Sequence, residues 1–254
     1  MKHILAESNR EVLARFAGAN LLLALDYDGT LAPIVKDPAR AALGSITREL
    51  LAQVAKLYPC VVISGRSRAD VLSRLSGIGV KDVVGNHGGE PWDTGDDLTG
   101  KVRDWTPILE KRLFSVRGVV IEDKIYSLAV HYRRSRKKRE ARAAIIDVVS
   151  ALEDVRVIGG KQVVNIVPKA APHKGNALER ERERFGCDTA IYVGDDDTDE
   201  DVFALDQPGR LLSIRVGRSA RTSAPYYVNH QGEIDAFLLT LLELRSGGPR
   251  SDPG

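Results

Sequence analysis

Short apolar runs bounded by turn residues recur along the chain. LLLAL at 21–25, VVIS at 61–64, DVVGN at 82–86, AIYVG at 190–194 and LLSIRV at 211–216 lack strict polar–apolar alternation, as strands buried on both faces do. Helix-like periodicity fills several intervals, at 47–57, 68–75 and 175–185. The alternation predicts an α/β fold, a Rossmann-like parallel sheet with helices on both sides.

The middle of the chain breaks that rhythm. From 103 to 167 the pattern predicts helix, two strands, helix, two strands. The segment 119–132 reads as a hairpin turning near Asp123–Lys124, and the next helix is expected to start at Ser135 as N-cap and run to about 152. A second hairpin, 155–168, has Gly159–Gly160 at its expected turn. The block predicts an αββαββ insertion, a small cap over 101–169, within a core formed by 1–100 and 170–246. The tail 247–254 is expected to be disordered.

Composition narrows the class. Of 254 residues 43% are hydrophobic, enough for a substantial core, and no stretch approaches the apolar length that spans a bilayer. The N-terminus MKHILAESNREVLARF carries charges every few residues, so it does not read as a signal peptide. Cys60 and Cys187 match no metal or redox spacing and read as free buried thiols. These features predict a cytoplasmic protein, taken as a monomer, without nucleic-acid or membrane partners. The net charge of +2 does not announce a nucleic-acid binder, although RRSRKKREAR at 133–142 is strongly basic. That stretch lacks interleaved aromatics and is expected to be a solvated helix face that also draws anionic substrate by its field.

The acidic positions carry the chemistry. In open α/β sheets ligands bind beyond the carboxyl ends of the strands. Asp26 follows the first long apolar run, Ser64 ends the second, and Gly194–Asp195 follows the fourth. Asp26, Asp28, Asp195, Asp196 and Asp199 would crowd one sheet edge, where repulsion and desolvation demand a compensating cation. Oxygen-only ligands favour a hard cation, Mg²⁺. A solvated acidic loop would account for GDDDTDED alone, but not for its pairing with DYDGT. An EF-hand fails because Glu200 stands where the calcium loop needs Gly. Thr198-x-x-Asp201 reads instead as a capping-box-like start to a helix at 202–205. A metal beside two aspartates suits phosphate chemistry, and Lys174, just before a helix, adds a cation where amide N–H groups favour an anion. Monoester hydrolysis needs acceleration approaching ~10²¹, far beyond one acid or base, so several groups must act together.

DYDGT resembles motif I of the haloacid-dehalogenase-like (HAD) phosphatases, Ser64 in VVISGR motif II, Lys174 in PHKG motif III and GDDDTDED motif IV. More narrowly, DYDGTLAPIV, VVISGR, GNHGGE, EDKIYSLAVHYR and GDDDTDED resemble the trehalose-6-phosphate phosphatase family, and the insertion resembles its C2-type cap. The resemblance implies a phosphatase acting through an aspartyl-phosphate on Asp26, with Asp28 as acid and base. It implies Mg²⁺ held by Asp26, the Asp28 carbonyl and Asp195, with Asp199 in support. Thr30, Ser64 and Lys174 would hold the phosphoryl oxygens. Glu122, Lys124, His131 and Arg133 of the insertion would contact the sugar, with Arg66, His87 and Glu90 near the substrate. One departure bears on the substrate. The family pattern VxEIKP is here VVNIVP, so Asn165 and Val167 replace a carboxylate and a base, and a sugar hydroxyl would meet an amide without charge assistance. Two alternatives follow: a phosphatase for another sugar phosphate, such as a glucosyl- or mannosyl-glycerate phosphate, or a sugar-phosphate-binding or signalling protein without turnover.

Overall fold

Apolar runs without a polar position become strands when a sheet is covered on both faces. The computed structural model describes residues 1–91, 96–160, 162–205 and 207–247. The chain divides into a first unit, residues 1–88 with 174–247, and a second, Gly89–His173.

The first unit opens with β1 (Lys2–His3), α1 (Arg10–Gly18), β2 (Leu21–Leu25), α2 (Ser45–Leu57), β3 (Cys60–Ile63), α3 (Arg68–Arg74) and β4 (Asp82–Val84). The second unit contributes α4 (Asp96–Leu113), β5 (Val120–Asp123), β6 (Leu128–His131), α5 (Lys138–Ser150), β7 (Val155–Gly160) and β8 (Val163–Pro168). The chain then returns to the first unit through α6 (Lys174–Arg184), β9 (Thr189–Gly194), α7 (Glu200–Phe203), β10 (Leu211–Val216), β11 (Tyr226–Val228) and α8 (Ile234–Ser246).

The seven strands of the first unit run in the order β1-β11-β10-β9-β2-β3-β4, and every pairing is parallel. β2 is an inner strand, with β3 and then β4 outward on one side and β9, β10, β11 and β1 outward on the other. The order therefore reverses between β2 and β9, which is where open α/β sheets bind ligands. All five residues of β2 are at most 1% exposed. Each buried leucine there contributes about 1.5–3 kcal/mol. The strand is thus a stiff mount for whatever follows Leu25.

Five strands lie where the apolar runs predict them. β1, β11, α1 and α8 were not read from the pattern. β1 is two residues long and exists through its pairing with β11. Lys174, expected just before a helix, is the first residue of α6. The predicted capping box lies elsewhere: the Asp196 side chain accepts from Thr198 N while Asp199 accepts from Asp196 N, and the helix proper is Glu200–Phe203. Cys60 and Cys187 are free and buried.

In the second unit the antiparallel sheet β5-β6-β8-β7 packs one face on α4 and α5. Val102, Trp105, Leu109 and Leu113 repeat at helical spacing along α4 and meet Ile145 and Val149 of α5 and Leu128, Val130, Val164 and Ile166 of the sheet. The αββαββ order matches expectation, but the unit's bounds are wider than 101–169 and take in Glu90, read from the sequence as part of the core. Ser135 is not the N-cap; its Oγ accepts from Lys137 N one turn early, and α5 starts at Lys138. Gly159–Gly160 ends β7 rather than forming the turn, since both still pair in the ladder with Val164 and Val163; a Cβ on Gly160 would lie 2.6 Å from the Val163 side chain. Arg133, Arg134, Arg136, Lys137, Lys138, Arg139 and Arg142 are all exposed, as a solvated face requires. Among the described residues no helix is long and apolar enough to cross a membrane. Gly247 caps α8 through its N–H to the Glu243 carbonyl, and residues 248–254 of the expected disordered tail lie outside the described residues.

Candidate active site

Asp26 leaves β2 with its N–H on the Val193 carbonyl, so the strand order reversal fixes its backbone. Lys174 enters from the start of α6 and is 2% exposed. Its Nζ donates to Asp26 Oδ1 at 2.8 Å and to Asp199 Oδ1 at 2.8 Å. The Tyr192 hydroxyl donates to the same Asp199 oxygen at 2.6 Å, and the N–H groups of Asp195 and Asp196 donate to Asp199 Oδ2 at 2.8 and 2.9 Å. A carboxylate offers about four lone-pair sites, and all four of Asp199 are filled. Asp199 therefore braces Lys174 and the turn after β9.

Two glycines make the cluster possible. Gly29 sits at φ +84°, and a Cβ there would lie 2.1 Å from Asp195 Oδ2. A Cβ on Gly194 would lie 2.2 Å from the Asp199 carboxyl carbon. The backbone of DYDGT is thus pressed against Asp195, and the end of β9 against Asp199.

Asp26, Asp195 and Asp199 each offer an oxygen within 4.8 Å of the others. Three carboxylates around one ammonium leave a formal excess of two negative charges. Burial pushes the Asp26 carboxyl well above the usual carboxylate range; Lys174 pulls it back, while Asp199 and Asp195 raise it further. Burial, then Asp199 and Asp196, push Asp195 up to about 7. Burial opposes the Asp199 carboxylate too, yet Lys174, Tyr192 and the Asp196 amide hold it below its ordinary value. Burial likewise opposes the Lys174 ammonium, but Asp199 and Asp26 hold its pKa well above the usual one. Asp195 Oδ1 is buried without a hydrogen-bond partner. An all-oxygen donor set, an excess of two negative charges and an orphaned buried carboxylate oxygen fit a hard divalent cation.

Around this cluster Thr30 is fully buried with its Oγ1 unpartnered, and Ser64 is 1% exposed with its Oγ accepting from Arg66 N at 3.2 Å. Asp28 is paired with Arg66 through both oxygens. His87 is buried at φ +57°, with its ring where a Gly65 Cβ would stand, 2.4 Å from Cε1. The structure thus gathers Asp26, Asp28, Thr30, Ser64, Arg66, His87, Lys174, Asp195 and Asp199 in the first unit. Glu90, Glu122, Lys124, His131, Arg133 and Asn165 belong to the second. There the strand register puts Glu122, Ala129, Asn165 and Ile158 in one row and His131 in the next, on the face opposite α4 and α5. Glu122 Oε2 and His131 Nε2 are 2.8 Å apart. Lys124 lies in the turn after β5, its N–H on the Ser127 carbonyl, and Arg133 is exposed beyond β6.

Sequence reasoning missed Tyr192 and the close packing that Gly29 and Gly194 allow. Tyr192 sits in an apolar strand run and carries no polar signal of its own. The two glycines flank the aspartates in DYDGT and GDDDTDED, and that adjacency was the available signal.

A trehalose-phosphatase family profile matches residues 24–231. The chain belongs to the trehalose-phosphatase family. Among curated members it is 31% identical over 274 residues to probable trehalose-phosphate phosphatase 3 of Oryza sativa subsp. japonica, covering 94% of this chain and 74% of the relative. It is 30% identical over 262 residues to trehalose-phosphate phosphatase B of Arabidopsis thaliana, covering 92% and 69%. The C-terminal domain of C. albicans trehalose-6-phosphate phosphatase superposes with a TM-score of 0.72 at 25% identity, covering 94% of this chain and 97% of that one. A sugar phosphatase of HAD subclass IIB shares the fold at a TM-score of 0.59 and 16% identity, covering 89% and 98%.

Proposed function

We propose that this chain is a Mg²⁺-dependent phosphatase that hydrolyses trehalose 6-phosphate to trehalose and phosphate. The observation that carries the reading is Lys174 Nζ at 2.8 Å from both Asp26 and Asp199, beside Asp195, in a chain of this family. Asp26 and Asp195 would hold the ion with the Asp28 carbonyl, and Asp199 would support it. When bound, the ion neutralises charge on the phosphoryl oxygens. An Asp26 oxygen attacks phosphorus and the bond from phosphorus to the sugar oxygen breaks. Asp28 gives its proton to that oxygen. Asp28 then takes a proton from water, which attacks phosphorus; the Asp26–phosphorus bond breaks and phosphate leaves. Lys174, Ser64 and the unpartnered Thr30 hydroxyl hold the phosphoryl oxygens throughout. Glu122, Lys124, His131, Arg133 and Asn165 are assigned to the sugar hydroxyls.

A phosphate-release panel over sugar phosphates, with Mg²⁺ or EDTA, tests the proposal. Release from trehalose 6-phosphate is expected to dominate, to vanish in EDTA and to vanish in Asp26→Asn. Retention of most activity by Asp26→Asn would exclude the covalent route. Asn165 supports a second reading, a different sugar phosphate, and a large kcat/KM preference for another ester would select it. The fold alone does not decide turnover. A C. albicans trehalose synthase regulatory protein domain shares it at a TM-score of 0.66 and 13% identity, covering 91% of this chain and 97% of that one. Binding of the ester without phosphate release in Mg²⁺ would favour a regulatory role.

A further inference from the structure

The Arg66 side chain, expected near the substrate, is committed elsewhere. Nε donates to Asp28 Oδ2 at 2.5 Å and Nη2 to Asp28 Oδ1 at 2.7 Å. Nη2 also donates to the Pro38 carbonyl at 2.8 Å, and Nη1 to Asp70 Oδ2 at 2.8 Å. A guanidinium has five N–H donors, and these contacts use four. The head lies 5.5 Å from the centroid of the buried Tyr27 ring. Asp70 is held in turn, its Oδ1 accepting from Arg74 Nε at 2.9 Å, and Arg74 is anchored on the carbonyls of Ala39 and Ala41.

We propose that Arg66 is a positioning residue for the acid–base work of Asp28, with Asp70 and Arg74 positioning Arg66. The inference rests on the phosphatase reading above. The Asp28 side chain is 40% exposed, and an aspartate that open to water samples several rotamers. The fork of a guanidinium fixes both the place and the plane of a carboxylate, which a lysine ammonium does not. Proton transfer requires the carboxyl within about 2.6–3.2 Å of its target; the oxygen that carries the proton gives up its contact with Arg66, while the other keeps the group in place. Arg66 also ties this group to the phosphate-holding side of the site, since its own N–H is on Ser64 Oγ.

The consequence depends on the leaving group. A sugar oxygen must be protonated as it departs, whereas p-nitrophenolate leaves as a stable anion. The test measures kcat and KM in Mg²⁺ for trehalose 6-phosphate and p-nitrophenyl phosphate, using wild type, Arg66→Ala, Arg66→Lys, Asp70→Asn, Asp28→Asn and the double variant Asp28→Asn/Arg66→Ala. Arg66→Ala is expected to lower kcat/KM about 10²-fold for the sugar ester and much less for the aryl ester, because this ratio ends with departure of the leaving group and leaves out the attack of water that both esters share. Arg66→Lys should recover little of this, and the double variant should be no slower than Asp28→Asn. Equal losses in kcat/KM on both esters, a rise in KM for the sugar ester at unchanged kcat, or losses that multiply with Asp28→Asn would overturn the proposal. If Arg66→Ala does not fold, Arg66→Lys and Asp70→Asn decide, and no leaving-group dependence in either rejects it. A wild-type protein releasing phosphate from neither ester would sink the phosphatase reading and this inference together; failure in an active enzyme sinks this inference alone.

Discussion

Lys174 holds two buried carboxylates apart and in place, so its loss is felt in folding as well as in chemistry. Removing one partner of a buried charge pair costs about 3–5 kcal/mol. Lys174→Met is therefore expected to be destabilised by roughly that amount, read by urea unfolding, and to lose activity. Asp26→Asn removes one of the uncompensated charges, so the double variant should be less destabilised than the sum of the singles. Additive losses would mean that Lys174 acts through packing rather than charge. The residues at strand ends, Asp26, Ser64 and Asp195, were legible because an apolar run stopping at a polar residue marks both a strand and its edge. Tyr192 was not, because its hydroxyl matters through Asp199, seven positions further on, and sequence spacing gives no hint of that contact.

At the level of elements, what the sequence showed was what local pattern determines. β2, β3, β9 and β10 carry their own apolar signal; β1 and β11 do not, since the two residues of β1 exist as strand through β11 alone. A polar latch supports that edge. Glu233 accepts from Asn229 N at 2.8 Å and from Asn229 Nδ2 at 2.7 Å, and pairs with His3 Nε2 at 2.9 Å. Burial opposes the Glu233 carboxylate, but these hydrogen bonds hold its pKa down, from the ordinary 4.5 to about 2. A lowered folded-state pKa gives stability that is present above the unfolded value and is lost as pH falls through the folded one. Glu233→Gln should therefore be less stable than wild type at pH 7, with the gap closing between pH 4.5 and about 2. Urea midpoints at several pH values check this, and a gap independent of pH would show that charge is not involved. The turn between β7 and β8 was misread for a related reason: Gly160 is required by the approach of Val163, not by a turn conformation.

For the whole molecule, the excess negative charge of the Asp26, Asp195 and Asp199 cluster sets how stability responds to metal. A ligand that binds the native state alone stabilises it by about 2.7 kcal/mol at 100 times its Kd. Thermal unfolding in saturating Mg²⁺ is expected to shift upward by several degrees, EDTA should reverse the shift, and Asp195→Asn should abolish it. An unchanged midpoint in wild type would argue against a metal at this cluster. The chain order of the central sheet has a further consequence, for synthesis. β2 ends at Leu25 and its neighbour β9 ends at Gly194, with the entire second unit made in between. At about 5–20 residues per second, a nascent chain emerging from the ribosome keeps one edge of its most apolar strand open for roughly 10–30 s. During that interval a segment rich in leucine is exposed to other polypeptides, and chaperone capture should concentrate on chains stalled before residue 194.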